Sequence, residues 1–215
     1  MAKIIWDDTG SRFFETGVDQ GVLYVQKDGT YGTGVAWNGL TAVTESPEGA
    51  ELTDLWADNM KYASMRSAED FKATIEAYTY PDEFMACDGS AELAAGVMIG
   101  QQARSKFGLC YRTKVGNDVE GDAKGYKIHL IYGATAAPSE KAYQTVNDSP
   151  DAITFSWEVD TTPVSVKDHK PTATLVIDST KVDKDKLAKI EAALYGDESA
   201  EPKLLLPDEV LTLLA

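Results

Sequence analysis

Residues able to do chemistry are thinly spread along this chain. Only two histidines occur, His129 and His169, and no Gly-x-Ser-x-Gly turn is present to expose a nucleophilic serine. Hydrolysis of the serine type is therefore not expected. Gly29-Thr30-Tyr31-Gly32-Thr33-Gly34 is rich in glycine, but it lies between two strand-like runs with the spacing Gly-x-x-Gly-x-Gly. A dinucleotide cradle needs Gly-x-Gly-x-x-Gly at the start of a helix. The segment reads as a turn, where glycine supplies positive φ. Asp82-Glu83 offers two carboxylates of the kind glycoside hydrolysis uses across a cleft, yet in a chain with 35 Asp and Glu such neighbours arise by chance.

The same reasoning removes metals and cofactors. Asn117-Asp118-Val119-Glu120-Gly121-Asp122 is rich in oxygen ligands, but it lacks the EF-hand spacing and the distal bidentate glutamate, so a solvated turn is expected. Cys87 and Cys110 belong to no Cys-x-x-Cys pair; they read as buried small hydrophobes with free thiols rather than a zinc site or a disulfide framework. Asn147-Asp148-Ser149 is a glycosylation sequon followed by Pro150, which reads as a turn. Trp37, Trp56, Trp157 and the tyrosines would suit a sugar site, although aromatics at strand spacing more often fill a core. No catalytic, cofactor-binding or metal residue is assigned, and the chain is not expected to be an enzyme.

What must be positioned, then, is a scaffold, and its dominant signal is period-two alternation in short segments bounded by Gly, Pro, Asn and Asp. Val22–Val25, Val35–Trp37 and Leu40–Thr44 read as strands, with turns at Asp28-Gly29 and Asn38-Gly39. Phe71, Ala73, Ile75 and Ala77 share one face of a strand that Pro81 stops. Phe107–Thr113 and Gly125–Tyr132 follow, then Ile153, Phe155, Trp157 and Val159 facing inward before Pro163, then Thr172–Ile177. Two packed antiparallel sheets, a β-sandwich or barrel, are the natural closure. One flanking helix is signalled over about 184–195, with Asp183 as N-cap, Leu187, Ile190 and Leu194 at helical spacing and Gly196 past its end. The expected organisation is a single β domain over 1–196, with 197–215 as a linker and apolar arm, in which Pro207-Asp208-Glu209 starts a short helix or an extended stretch.

The charge is strongly acidic, formally −15 over 215 residues, and residues 1–60 hold three Lys/Arg against ten Asp/Glu. Such a balance argues against duplex DNA binding through phosphates, which needs a basic face. The longest uncharged apolar stretches, such as Ala94–Ile99, are far shorter than a membrane span. The first residues contain no secretory signal, so folding in the cytoplasm is expected. Residues 45–62 are the unusual segment. Glu45, Glu48, Glu51, Asp54 and Asp58 have no cation between Asp28 and Lys61 to offset them, and Leu52, Leu55, Trp56, Met60 and Tyr62 are interspersed. Helical spacing competes there with Gly49, Thr53 and Asn59, and a long loop is expected.

Several stretches, in order, resemble the major tail proteins of siphophages. They are Glu15–Val18 with Gly21–Tyr24, Gly34–Thr41, Ala57–Tyr62, Thr74–Phe84, Ile99–Gln102, Phe107–Thr113 and Asn147–Pro150 with Ile153–Glu158, together spanning roughly 15–180. None is a mechanistic motif; the match is specific as a set. The resemblance implies a tail-tube subunit with a flanking helix, assembled as stacked hexameric rings in a virion. The implied partners are further copies of the chain and tape-measure, terminator and distal tail proteins, with DNA passing through the lumen without specific binding. On that reading Leu52, Leu55, Trp56, Asp58, Met60 and Tyr62 are candidate subunit contacts, and Glu45, Glu48, Glu51 and Asp54 are candidate lumen or loop acids. The rival reading is a monomeric carbohydrate-binding β-sandwich.

Overall fold

The computed structural model describes residues 4–146 and 151–215; the sequon at Asn147 lies outside them. β1 (Phe13–Lys27) turns at Asp28-Gly29 into β2 (Thr30–Tyr31), and β3 (Val35–Trp37) pairs back on β1. After the Asn38-Gly39 turn comes β4 (Leu40–Glu45), then an excursion with β5 (Glu48–Gly49), β6 (Leu52–Ala57), β7 (Met60–Arg66) and β8 (Glu69–Asp70), then β9 (Lys72–Ala77). A 3-10 turn at Asp82–Phe84 leads into α1 (Met85–Asp88) and a small hairpin of β10 (Ala91–Ala94) and β11 (Val97–Ile99). β12 (Phe107–Asn117), β13 (Gly121–Ala136), β14 (Phe155–Asp160) and β15 (Thr174–Asp178) precede the helices α2 (Lys184–Tyr195) and α3 (Pro207–Leu214).

One hydrogen-bonded path runs β2-β1-β12-β13-β14-β9-β4, with β3 added to β1 and β15 to β13, all antiparallel where registered. The path folds over on itself at β13. Lys127–Ile131 of that strand pair with β15, whereas Thr135 and Ala136 at its end pair with β14. The expected two packed sheets are therefore present as two layers joined through one strand, and they do not close into a barrel.

Two cores follow from this arrangement. Leu23, Phe107, Leu109, Tyr111 and Ile131 face Ala73, Ile75, Ala77, Trp157 and Val159 of the other layer. On the opposite face Val22, Tyr24, Cys110, Ile128, Leu130 and Tyr132 meet Leu187, Ile190 and Leu194 of α2 together with Leu204, Leu205 and Val210. Strands covered on both sides lose their alternation, which is why Phe107–Tyr111 is buried at every position. Each fully buried large aliphatic side chain contributes about 1.5–3 kcal/mol. Two tyrosines tie the helical layer to the sheet: Tyr24 donates to the Leu194 carbonyl at 2.6 Å and Tyr132 to that of Leu205 at 2.9 Å. The first of these satisfies one of the carbonyls that every helix leaves unpaired at its C-terminus.

The helix expected at 184–195 is α2, capped by Asp183, whose carboxylate accepts from the backbone N–H of Asp185 and Lys186. Two further helices accompany it. Residues 197–215, expected as a linker and arm, return through α3 to cover the second core, so Val210 is buried within the same chain. Of the alternating set around Trp157, Ile153 lies before β14 begins and is exposed. Cys87 and Cys110 are buried and unpaired. Burial pushes both thiols up to about 12, Cys87 with help from the neighbouring Asp88 carboxylate, so both stay protonated and unreactive at neutral pH. The turn after β12 is tied to the chain before β1: Asp118 accepts from the backbone of Gly10 and Arg12, and Asn117 donates to the Gly10 carbonyl.

Candidate assembly interface

The segment expected as a long loop over 45–62 is instead a β-hairpin that stands away from both cores. Its strands β6 and β7 pair from Leu52↔Arg66 to Ala57↔Met60, with a register shift between Leu55 and Trp56. Asp58 and Asn59 at the tip both adopt left-handed backbone, with φ of 50° and 61°, the conformation a two-residue hairpin turn demands and that Asp and Asn tolerate. At the base, β5 pairs with β8, and Gly49 has a φ of 82° with its α-carbon so close to the Ala68 carbonyl that a side chain would collide. The loop reading failed because apolar residues lie on both faces: with neither face buried, no period-two contrast marks the strands.

Exposure along the hairpin is unusual. Leu52, Leu55, Trp56, Met60, Tyr62 and Met65 are all open to solvent, Trp56 at 68% and Tyr62 at 75%. A two-stranded hairpin with nothing beneath it is marginal in water. What holds it locally is the Asp54–Lys61 ion pair at 2.8 Å and a 2.6 Å hydrogen bond from Ser64 to the same carboxylate. Lys61 and then Ser64 hold the Asp54 carboxyl below its ordinary range.

The six candidate contact residues are thus brought together on one projecting element. The candidate acids are not. Glu51 flanks the hairpin base, where its backbone N–H and carbonyl bond Ser67, and Glu48 pairs with Lys72 at 2.9 Å. Glu45 sits at the exposed end of β4, beside the first core. It accepts from the Tyr111 hydroxyl at 2.7 Å, and His129 Nδ1 lies 3.7 Å from the same oxygen. The His129 ring stacks on Tyr111 at 4.7 Å and shares a 2.9 Å hydrogen bond with Thr113. His129 and then Tyr111 hold the Glu45 carboxyl below its usual range. A carboxyl whose folded value is lowered contributes stability above its unfolded value, and that stability is lost as pH falls through the folded one. We therefore expect Glu45→Gln to remove part of the acid-side decline in stability, measured by urea unfolding across the carboxylate titration range. Superimposable acid limbs for the two proteins would show that this charge adds nothing.

Two further exposed apolar segments escaped the sequence reading. β10 and β11 present Leu93, Val97 and Met98 to solvent, and Ile4, Ile5 and Trp6 are exposed before β1. The Ala94–Ile99 run was visible in the sequence, but its alternative to a membrane span, an unpartnered hairpin, has no distinct pattern. Open strand edges accompany them: among the described residues β15 pairs only with β13, and Phe13–Thr16 of β1 only with β12. A cavity of about 650 Å³ is bounded by Val18, Gln20, Trp37 and Tyr195; its one carboxylate, Asp19, is engaged by Arg112 at 2.8 Å. Among the described residues no group of three or more His, Cys, Asp or Glu is placed to hold a metal, and no helix is long and apolar enough to cross a membrane.

No family model and no curated protein matches the chain. Among solved structures, a chain of the anti-feeding prophage (AFP) baseplate is similar with a TM-score of 0.39 and 6% identity, over 83% of this chain and all of that one. A chain of the PVC sheath/tube terminator of an extracellular contractile injection system, in its extended state, is similar with a TM-score of 0.33 and 11% identity, over 81% of this chain and 99% of that one. Likenesses this loose carry no functional argument.

Proposed function

We propose that the chain is a structural, non-enzymatic subunit of a long-tailed phage tail tube, stacking as rings around a channel that conducts DNA. The observation that carries this reading is the projecting hairpin: six large apolar side chains exposed on one element are a liability in a monomer and a normal feature of a surface that a partner covers. The ordered matches to siphophage major tail proteins supply the kind of assembly. Open strand edges suit ring closure, because a sheet edge presents unpaired backbone groups to a neighbouring copy. The net charge of −15 suits a wall past which DNA slides, since carboxylates facing the lumen repel phosphate. Tape-measure, terminator and distal tail proteins are the partners this role requires.

Electron microscopy of the purified full chain, with sedimentation velocity, tests the proposal. Rings or tubes of constant bore are expected, and a dispersed monomer at high concentration overturns it. Trp37 and Trp157, which the rival carbohydrate-binding reading would use, are buried in the first core and closed to a sugar, while Trp56 and Tyr62 are exposed on the hairpin.

A further inference from the structure

The chain's acidity is uneven in space as well as in sequence. A groove of about 480 Å³ lies where the β12–β13 hairpin meets the start of α2. Arg112, Lys114, Lys124 and Lys184 line it beside two carboxylates, Asp122 and Glu191, a concentration of cations on a strongly anionic protein. Not all four cations are satisfied there. Arg112 is held by Asp19 and Lys124 by Glu120, but the Lys114–Asp122 pair is long, at 3.4 Å, and exposed on both sides. Lys184 has no ion pair among the described residues. The floor is apolar, formed by Leu187 and the Tyr126 ring, with the Arg112 guanidinium 4.8 Å above that ring.

The hairpin tip is the complement of this groove. Asp58 has no cation partner among the described residues and is exposed, and the neighbouring Trp56 and Met60 are among the most exposed apolar residues of the chain. We propose that the β6–β7 tip of one copy docks into the β12–β13/α2 groove of a second copy, Asp58 meeting Lys184 and Lys114 while Trp56 and Met60 pack against the half-buried Tyr126 ring. Tip and groove are different surfaces of one chain, so a one-way contact between them leaves a free tip and a free groove and propagates into a ring or a stack. This inference rests on the tube reading and names a contact within it.

Charge reversal separates the two. Lys184→Glu places an acid in the first turn of α2, where the helix dipole favours it, so lost assembly would not reflect a damaged fold; circular dichroism checks this. Lys114→Glu is the second groove variant and Asp58→Lys the tip variant. Each is expected to weaken self-association by roughly tenfold or more in sedimentation velocity, wild-type assembly should weaken with rising salt, and a chain with both Asp58→Lys and Lys184→Glu should regain most of what each lost. If the wild-type chain assembles and neither groove variant weakens it, the tip docks elsewhere and this inference fails while the tube reading stands. If Asp58→Lys and Lys184→Glu each weaken assembly but the doubly reversed chain shows no recovery, the two residues do not meet and the pairing is wrong. A wild-type chain that never assembles overturns both.

Discussion

Replacing Trp157 by alanine is expected to cost about 3 to 5 kcal/mol, the range seen when a large aromatic is removed from a packed core. Trp157 is 1% exposed and lies within 6 Å, centroid to centroid, of Trp37, Phe84, Tyr80 and Phe155, so its loss opens a hole bounded by rings that cannot all collapse into it. A loss of this size is a large part of the stability of an ordinary domain. Should the variant fail to fold, Trp157→Phe keeps the decision open. The indole N–H has no hydrogen-bond partner among the described residues, so phenylalanine removes an unsatisfied donor along with some volume and should cost distinctly less than alanine. Denaturant unfolding measures both. An alanine variant within about 1 kcal/mol of wild type would mean that the layer between β14 and the central strands is not the packed core described.

The second large effect concerns assembly. Excising Leu52–Arg66 and joining Glu51 to Ser67 through two glycines should abolish rings and tubes while leaving the subunit folded. The join is geometrically prepared, since Ser67 N–H already donates to the Glu51 carbonyl at 3.1 Å. No residue of β6 or β7 belongs to either core, so thermal unfolding should stay close to that of the full chain. Loss of the fold on excision, or undiminished tube formation, would each refute the assignment of this hairpin as a contact arm.

How far the sequence could be read depended on how many faces of each element are buried. β9 and β14 are covered strongly on one face, so Ala73, Ile75 and Ala77, and Trp157 and Val159, stand out against polar neighbours and were assigned correctly. The helix α2 was readable from both ends because Asp183 and Gly196 are local signals. β1, β12 and β13 were found but their length was underestimated; their outer parts extend beyond the second layer, where polar residues such as Lys114 and Asp122 sit in a strand and resemble loop. The hairpin defeated the reading for the opposite reason, since neither of its faces is buried. The candidate acids were grouped by proximity in sequence, whereas Glu45 belongs with Tyr111 and His129, residues far along the chain whose approach depends on the β4–β9 and β12–β13 pairings.

The pairing of β1 with β12 also sets a timetable for biosynthesis. Val25 of β1 meets Phe107, about 80 residues later in the chain, and a ribosome adding roughly 5–20 residues per second needs some seconds to make that stretch. The first long strand of the molecule therefore waits in the nascent chain with Val22, Leu23 and Tyr24 unburied, while the distant partner that will cover them has not yet been translated. β2 and β3, each only a short turn or loop away, pair with Gln26–Lys27 and Gly21–Leu23 and are the neighbours available early. Until β12 is made, such early pairing is what covers the backbone groups of β1 that would otherwise face another nascent strand.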